Sequence, residues 1–92
     1  MMKITVVCGN GLGSSLMMEM SIKKVITELG IEAEVDHLDL ASVGGSVADI
    51  YVGTRDITSQ LQGVNGEIVT LDNIVDKNAM KERLAAAVNT LA

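Results

Sequence analysis

Three observations predict an α/β fold, a parallel sheet covered by helices. Short apolar runs rich in β-branched residues alternate with segments of three- and four-residue apolar spacing. The links between them are short. The first run, Lys3 to Val7, reads as continuously hydrophobic, as a strand covered on both faces should. With 92 residues, the chain is long enough for one core and one domain, residues 1–92. No internal repeat, low-complexity segment or interdomain linker interrupts it.

The elements follow in order. After the first strand, a helix is expected from Ser14 or Ser15 to about Leu29. Its stripe is Met18, Ile22, Val25, Ile26 and Leu29, with Glu19, Lys23, Lys24 and Glu28 elsewhere on the wheel. Gly30 closes it as a C-terminal cap. Met17 and Met20 read as core or partly buried filler. Ala33 to Leu38 is a second strand whose Glu34, Asp36 and His37 suggest an edge position. Residues 39–46 form a loop with room for one helical turn, and Val47 to Val52 is the third strand. Gly53 to Asp56 reads as a turn, with Thr54 capping a short helix that carries Ile57 and Leu61. A turn from Gly63 to Gly66 leads to a fourth strand, Glu67 to Leu71. The last helix runs from Asp76 to Leu91 on the stripe Met80, Leu84, Ala87, Val88 and Leu91. Four parallel strands in the order 2-1-3-4, flanked by three helices, are therefore expected. A ligand then belongs at the carboxyl ends of strands 1 and 3, which brings Thr54, Arg55 and Asp56 near Cys8.

Composition narrows the function. Phe, Trp and Pro are absent, so the core is aliphatic and turns depend on Gly, Asn and Asp. The net charge of −5 is spread through the chain, and with neither aromatics nor a basic stripe a nucleic-acid partner is not expected. The single cysteine excludes a disulfide framework and a multi-cysteine metal site, and fits a reducing, cytoplasmic setting. Met2-Lys3-Ile4 leads straight into a strand, so neither secretion nor a membrane span is expected. Asp36 and Asp39 lack the partners for a coordination shell, and neither metal nor cofactor is expected.

The chemistry concentrates in Cys8-Gly9-Asn10-Gly11-Leu12-Gly13-Ser14-Ser15. A strand stops at the lone thiol, three glycines follow at alternate positions, and two serines open a helix. Such a loop turns several backbone N–H groups and the positive end of a helix dipole toward one point, which suits phosphate. The same field favours the thiolate of Cys8. Glycine at 9, 11 and 13 permits positive φ or close approach to the bound group.

Other phosphate loops fit less well. The dinucleotide pattern G-x-G-x-x-G fails because Ser14 or Leu16 occupies its last position, and the Walker pattern fails because no Lys precedes Ser14 or Ser15. A low-molecular-weight cysteine-dependent phosphatase is the stronger alternative, with Cys at the end of the first strand and a phosphate loop before a helix. It needs an Arg six residues after the Cys, where this chain has Ser14, and an Asp-Pro acid that a proline-free chain cannot supply. A thiolate and an N–H cradle without means of activating water describe a phosphoryl carrier. A thiol-based redox or regulatory module is the third reading.

The same eight residues resemble the phosphate loop of the IIB components of the bacterial sugar phosphotransferase system, and are most similar to the ascorbate type. Leu16-Met17-Met18-Glu19-Met20 extends the likeness into the helix, and length and β/α alternation agree over the whole chain. The resemblance implies a flavodoxin/Rossmann-like fold. It also implies that Cys8 takes a phosphoryl group from a phosphohistidine of the IIA component and passes it to a sugar, L-ascorbate, held by the IIC membrane transporter. Gly9, Asn10, Gly11, Leu12, Gly13, Ser14 and Ser15 would bind that group. A cytoplasmic protein peripherally associated with its transporter is implied; the galactitol and lactose types share the architecture.

The remaining polar residues carry no role from that likeness. His37 reads as solvent-facing. Arg55 is left open between approaching the loop or a partner and pairing with Asp56 or lying in solvent. Leu12, Met17 and Met20 are candidate apolar contacts for a docked partner, by proximity to the loop.

Overall fold

The computed structural model describes residues 2–8, 12–45, 47–61, 64, 66–72 and 76–91, with the side chains of residues 8, 12–16 and 91 outside that description. The elements are β1 (Met2–Cys8), α1 (Leu12–Leu29), β2 (Ala33–Asp39), a 3-10 turn (Val43–Gly45), β3 (Ile50–Thr54), α2 (Arg55–Thr58), β4 (Glu67–Leu71) and α3 (Lys77–Leu91). All three strand pairings are parallel, in the order β2-β1-β3-β4. The expected architecture is the observed one.

Strand periodicity divides the side chains between two layers. Ile4, Val6, Ile50, Val52, Val69 and Leu71 pack on one face against Met18, Ile22, Val25 and Ile26 of α1 and Met80, Leu84 and Ala87 of α3. Val7 and Tyr51 pack on the other face with Val43, Ala48, Ile57 and Leu61. Two long helices thus cover one face and short segments the other. Gly30 ends α1 at φ +72°, a conformation that costs glycine little. Asp76 caps α3, its Oδ1 accepting from the Ala79 N–H at 3.1 Å. At the amino end, Lys3 N–H donates to Asp49 Oδ2 at 2.8 Å, and Asp49 N–H to Lys3 O at 2.9 Å.

Several boundaries differ from the sequence reading. The third strand is Ile50–Thr54, and Val47 is 75% exposed. Gly53 and Thr54 belong to that strand, not to a turn. A β-carbon at Gly53 would lie 3.2 Å from both Val7 O and Ile57 Cγ2, so a small residue lets α2 follow directly against β1. Thr54 occupies the N-cap position of α2, but its hydroxyl makes no cap hydrogen bond. It donates to Asp56 Oδ1 at 2.5 Å. Leu61 lies beyond the helix, buried through the tight bonds Gln60 N–H to Ile57 O and Leu61 N–H to Thr58 O.

Helix α1 brings two further corrections. Met17 and Met20 are 59% and 55% exposed, not core filler. They fall outside the arc closed by Met18, Ile22, Val25 and Ile26. Glu19 is 9% exposed, against the expectation that it lies off the buried stripe. It lies at the flank of that stripe, where the helix meets the edge strand β2, and the half-exposed side chains of His37 and Lys23 satisfy its charge. Of the proposed caps and turn residues, the Ser14 and Ser15 hydroxyls and Gly63 lie outside the described residues.

Candidate functional site

Cys8 is the last residue of β1 and pairs with Asp39, the last of β2. On the other side, Val6 pairs with Val52. The close approach of Gly53 to Val7 O carries the contact to the strand ends. Cys8 and Thr54 therefore end neighbouring parallel strands at one level. Helix α1 starts four residues after Cys8, with its N-terminus at this edge. The helix starts at Leu12, earlier than the Ser14 or Ser15 expected, so four residues of the predicted loop, Leu12 to Ser15, are the opening turn of α1. Gly9, Asn10 and Gly11 lie outside the described residues, as do the side chains of Cys8, Leu12, Gly13, Ser14 and Ser15.

Around Cys8, the described groups of the carboxyl edge form short-range pairs. Asp39 Oδ1 accepts from the Ser42 N–H at 2.9 Å, and its bonds to the Ser42 side chain and backbone hold its carboxyl below the usual range. The Thr54 hydroxyl does the same for Asp56. Arg55 donates through Nε to Asp72 Oδ1 at 2.8 Å and through Nη2 to Asp72 Oδ2 at 3.1 Å. This two-pronged pairing lowers the Asp72 pKa and raises that of Arg55. Arg55 thus pairs with Asp72, across to the end of β4, and not with Asp56. The sequence had no signal for this, because the two residues meet only once β3 and β4 are in register.

A second cluster supports α1 from the side. His37 Nδ1 lies 2.8 Å from Glu19 Oε1, and Lys23 Nζ lies 3.4 Å from Glu19 Oε2. The bond from His37 is the main cause lowering the Glu19 pKa, against an opposing effect of burial. His37 is exposed to solvent, as expected, and is also tied to α1 through Glu19. The tie spans 18 residues, which the sequence does not reveal. Asp36 also has a structural partner, accepting from the buried Thr5 hydroxyl at 2.8 Å and lying 3.4 Å from Lys3 Nζ. Among the described residues no group of His, Cys, Asp and Glu is arranged to hold a metal. No helix among them is long and apolar enough to cross a membrane.

Comparisons with known proteins identify the family. Residues 3–86 match the family model described as "PTS system, Lactose/Cellobiose specific IIB subunit". The chain is also similar to the "Ascorbate-specific PTS system EIIB component" of Mycoplasma pneumoniae. The two are 32% identical over 85 residues, covering 89% of this chain and 90% of that protein. On both counts the chain belongs to the IIB subunits of the phosphotransferase system.

Proposed function

We propose that this IIB protein is a cytoplasmic phosphoryl carrier working through Cys8, between a IIA phosphohistidine and L-ascorbate bound to a IIC transporter. The observation that carries the reading is the position of the lone cysteine. It ends β1 at the carboxyl edge of the sheet, four residues before a long helix begins. The sugar follows from the name of the Mycoplasma pneumoniae relative.

In the first step the Cys8 thiolate attacks phosphorus in line. The S–P bond forms, the N–P bond breaks, and the imidazole of the donor leaves. In the second, a sugar hydroxyl attacks, the S–P bond breaks, the thiolate returns and the hydroxyl proton is lost. The amides from Gly9 to Ser15 hold the three peripheral oxygens in both steps. The reading needs no metal or cofactor. Met17 and Met20, with Ser21 and Lys24, line a shallow depression of about 190 Å³ on α1, which offers the docked proteins apolar contact beside the loop.

The test is intact-mass measurement after incubation with phosphorylated IIA. One phosphoryl group is expected on the wild type and none on Cys8→Ser, with the group lost when IIC and ascorbate are added. No adduct with a donor that phosphorylates another IIB would sink the reading. Repeated turnover of an aryl phosphate would favour a phosphatase instead.

A further inference from the structure

Arg55 stands between two strand ends. On one side Thr54 pairs with Leu71, so Arg55 and Asp72 follow at the same level and form their two hydrogen bonds. On the other side β1 and β3 pair as far as Val6 and Val52, and the same register carried two residues on sets Thr54 level with Cys8, on a strand about 4.8 Å away. The Arg55 backbone is thus about one strand spacing from Asp72 and about one from the thiol-bearing strand end.

The pair with Asp72 is weakly committed. Its side chains are 70% and 60% exposed, and ion pairs in such surroundings hold loosely. A phosphoryl group on Cys8 would carry close to two negative charges at neutral pH and offer three oxygens to a planar guanidinium fork. It is the stronger acceptor of the two.

We propose that Arg55 is an exchangeable anion-binding group, paired with Asp72 in the uncharged protein and with the phosphoryl group on Cys8 in the charged one. This rests on the carrier reading of Cys8. The exchange is noncovalent and leaves the atoms of both transfer steps unchanged. It supplies a guanidinium that the loop itself lacks, where Ser14 stands at the phosphatase arginine position. Because Asp72 competes for the fork, the group is held without being gripped, and the guanidinium returns to Asp72 when the phosphoryl leaves. Asp72 acts here as a positioning residue.

The experiment follows the second ionisation of phosphocysteine by phosphorus NMR in wild type, Arg55→Gln, Arg55→Lys and Asp72→Asn, each phosphorylated by IIA. Loss of the guanidinium in Arg55→Gln is expected to raise the midpoint by about half a pH unit, and Arg55→Lys to restore part of it. Asp72→Asn, which frees the guanidinium, is expected to lower it. A purely structural role would move none of these. Adducts that form with unmoved midpoints overturn the inference and leave the carrier reading intact. Movement in Arg55→Gln without the opposite movement in Asp72→Asn overturns the exchange. Absence of any adduct on the wild type overturns the carrier reading and the inference with it.

Discussion

The layer of α1 and α3 and the carboxyl edge of the sheet are built from opposite materials. In the first, thirteen buried residues from Ile4 to Ala87, all aliphatic or methionine, interlock through sequence-distant contacts. In the second, Asp39, Arg55, Asp56 and Asp72 are exposed, each satisfied by a short polar bond. Close packing resists change and stores most of the folding free energy, while exposed pairs are cheap to exchange. The proposed phosphoryl transfer would use both, a rigid platform under one strand end and a rim that can rearrange around a visiting charge. Substitutions in the two regions should therefore separate stability from chemistry.

The largest effect lies at the edge. Cys8→Ser should abolish the phosphoryl adduct completely, as read by intact mass; a full adduct on the variant would move the site elsewhere. In the packed layer, Leu84→Ala, at a fully buried position, should cost about 3 kcal/mol in urea unfolding. Gly66→Ala is next. Its β-carbon would lie 2.6 Å from Ala48 O and 2.8 Å from Asp49 O, both backbone. A loss of roughly 1–3 kcal/mol is expected, and an unchanged urea midpoint would show that the approach to β4 relaxes freely.

Glu19 tests the seam where the packed layer meets a polar group. Its pKa is lowered in the folded protein, so its contribution is present above the ordinary value of 4.5 and lost as pH falls through the folded value. Wild type should exceed Glu19→Gln in stability at neutral pH, and the gap should close as the pH falls below 4.5. A gap that stayed constant in urea titrations would remove the carboxylate from the account. The smallest effect is expected for Arg55→Gln on stability. Its thermal midpoint should match the wild type, since the pair with Asp72 is exposed on both sides. A clear drop would show that the rim is part of the scaffold.

Much of the fold was legible because it depends on local period and punctuation. The stripes Met18, Ile22, Val25, Ile26 and Met80, Leu84, Ala87 are buried as their spacing required, and Gly30 ends α1 as read. The fourth strand has the expected bounds, Glu67–Leu71. The misreadings share one cause. Gly53 looks like a turn residue, but what matters is the 3.2 Å space left by Val7 O, a neighbour 46 residues away. Glu19 looks like a surface residue until His37 arrives from β2, and Arg55 and Asp72 meet only through strand register.

The sequence alone determined the element order, the aliphatic core and the single thiol ahead of a glycine loop, since these follow from residue type and spacing along the chain. The tertiary structure decided which charges are neighbours. Exposed polar side chains have no period and little burial to constrain them, so their partners are chosen by register across the sheet. That is why Asp72, which no local pattern marks, ends up holding Arg55.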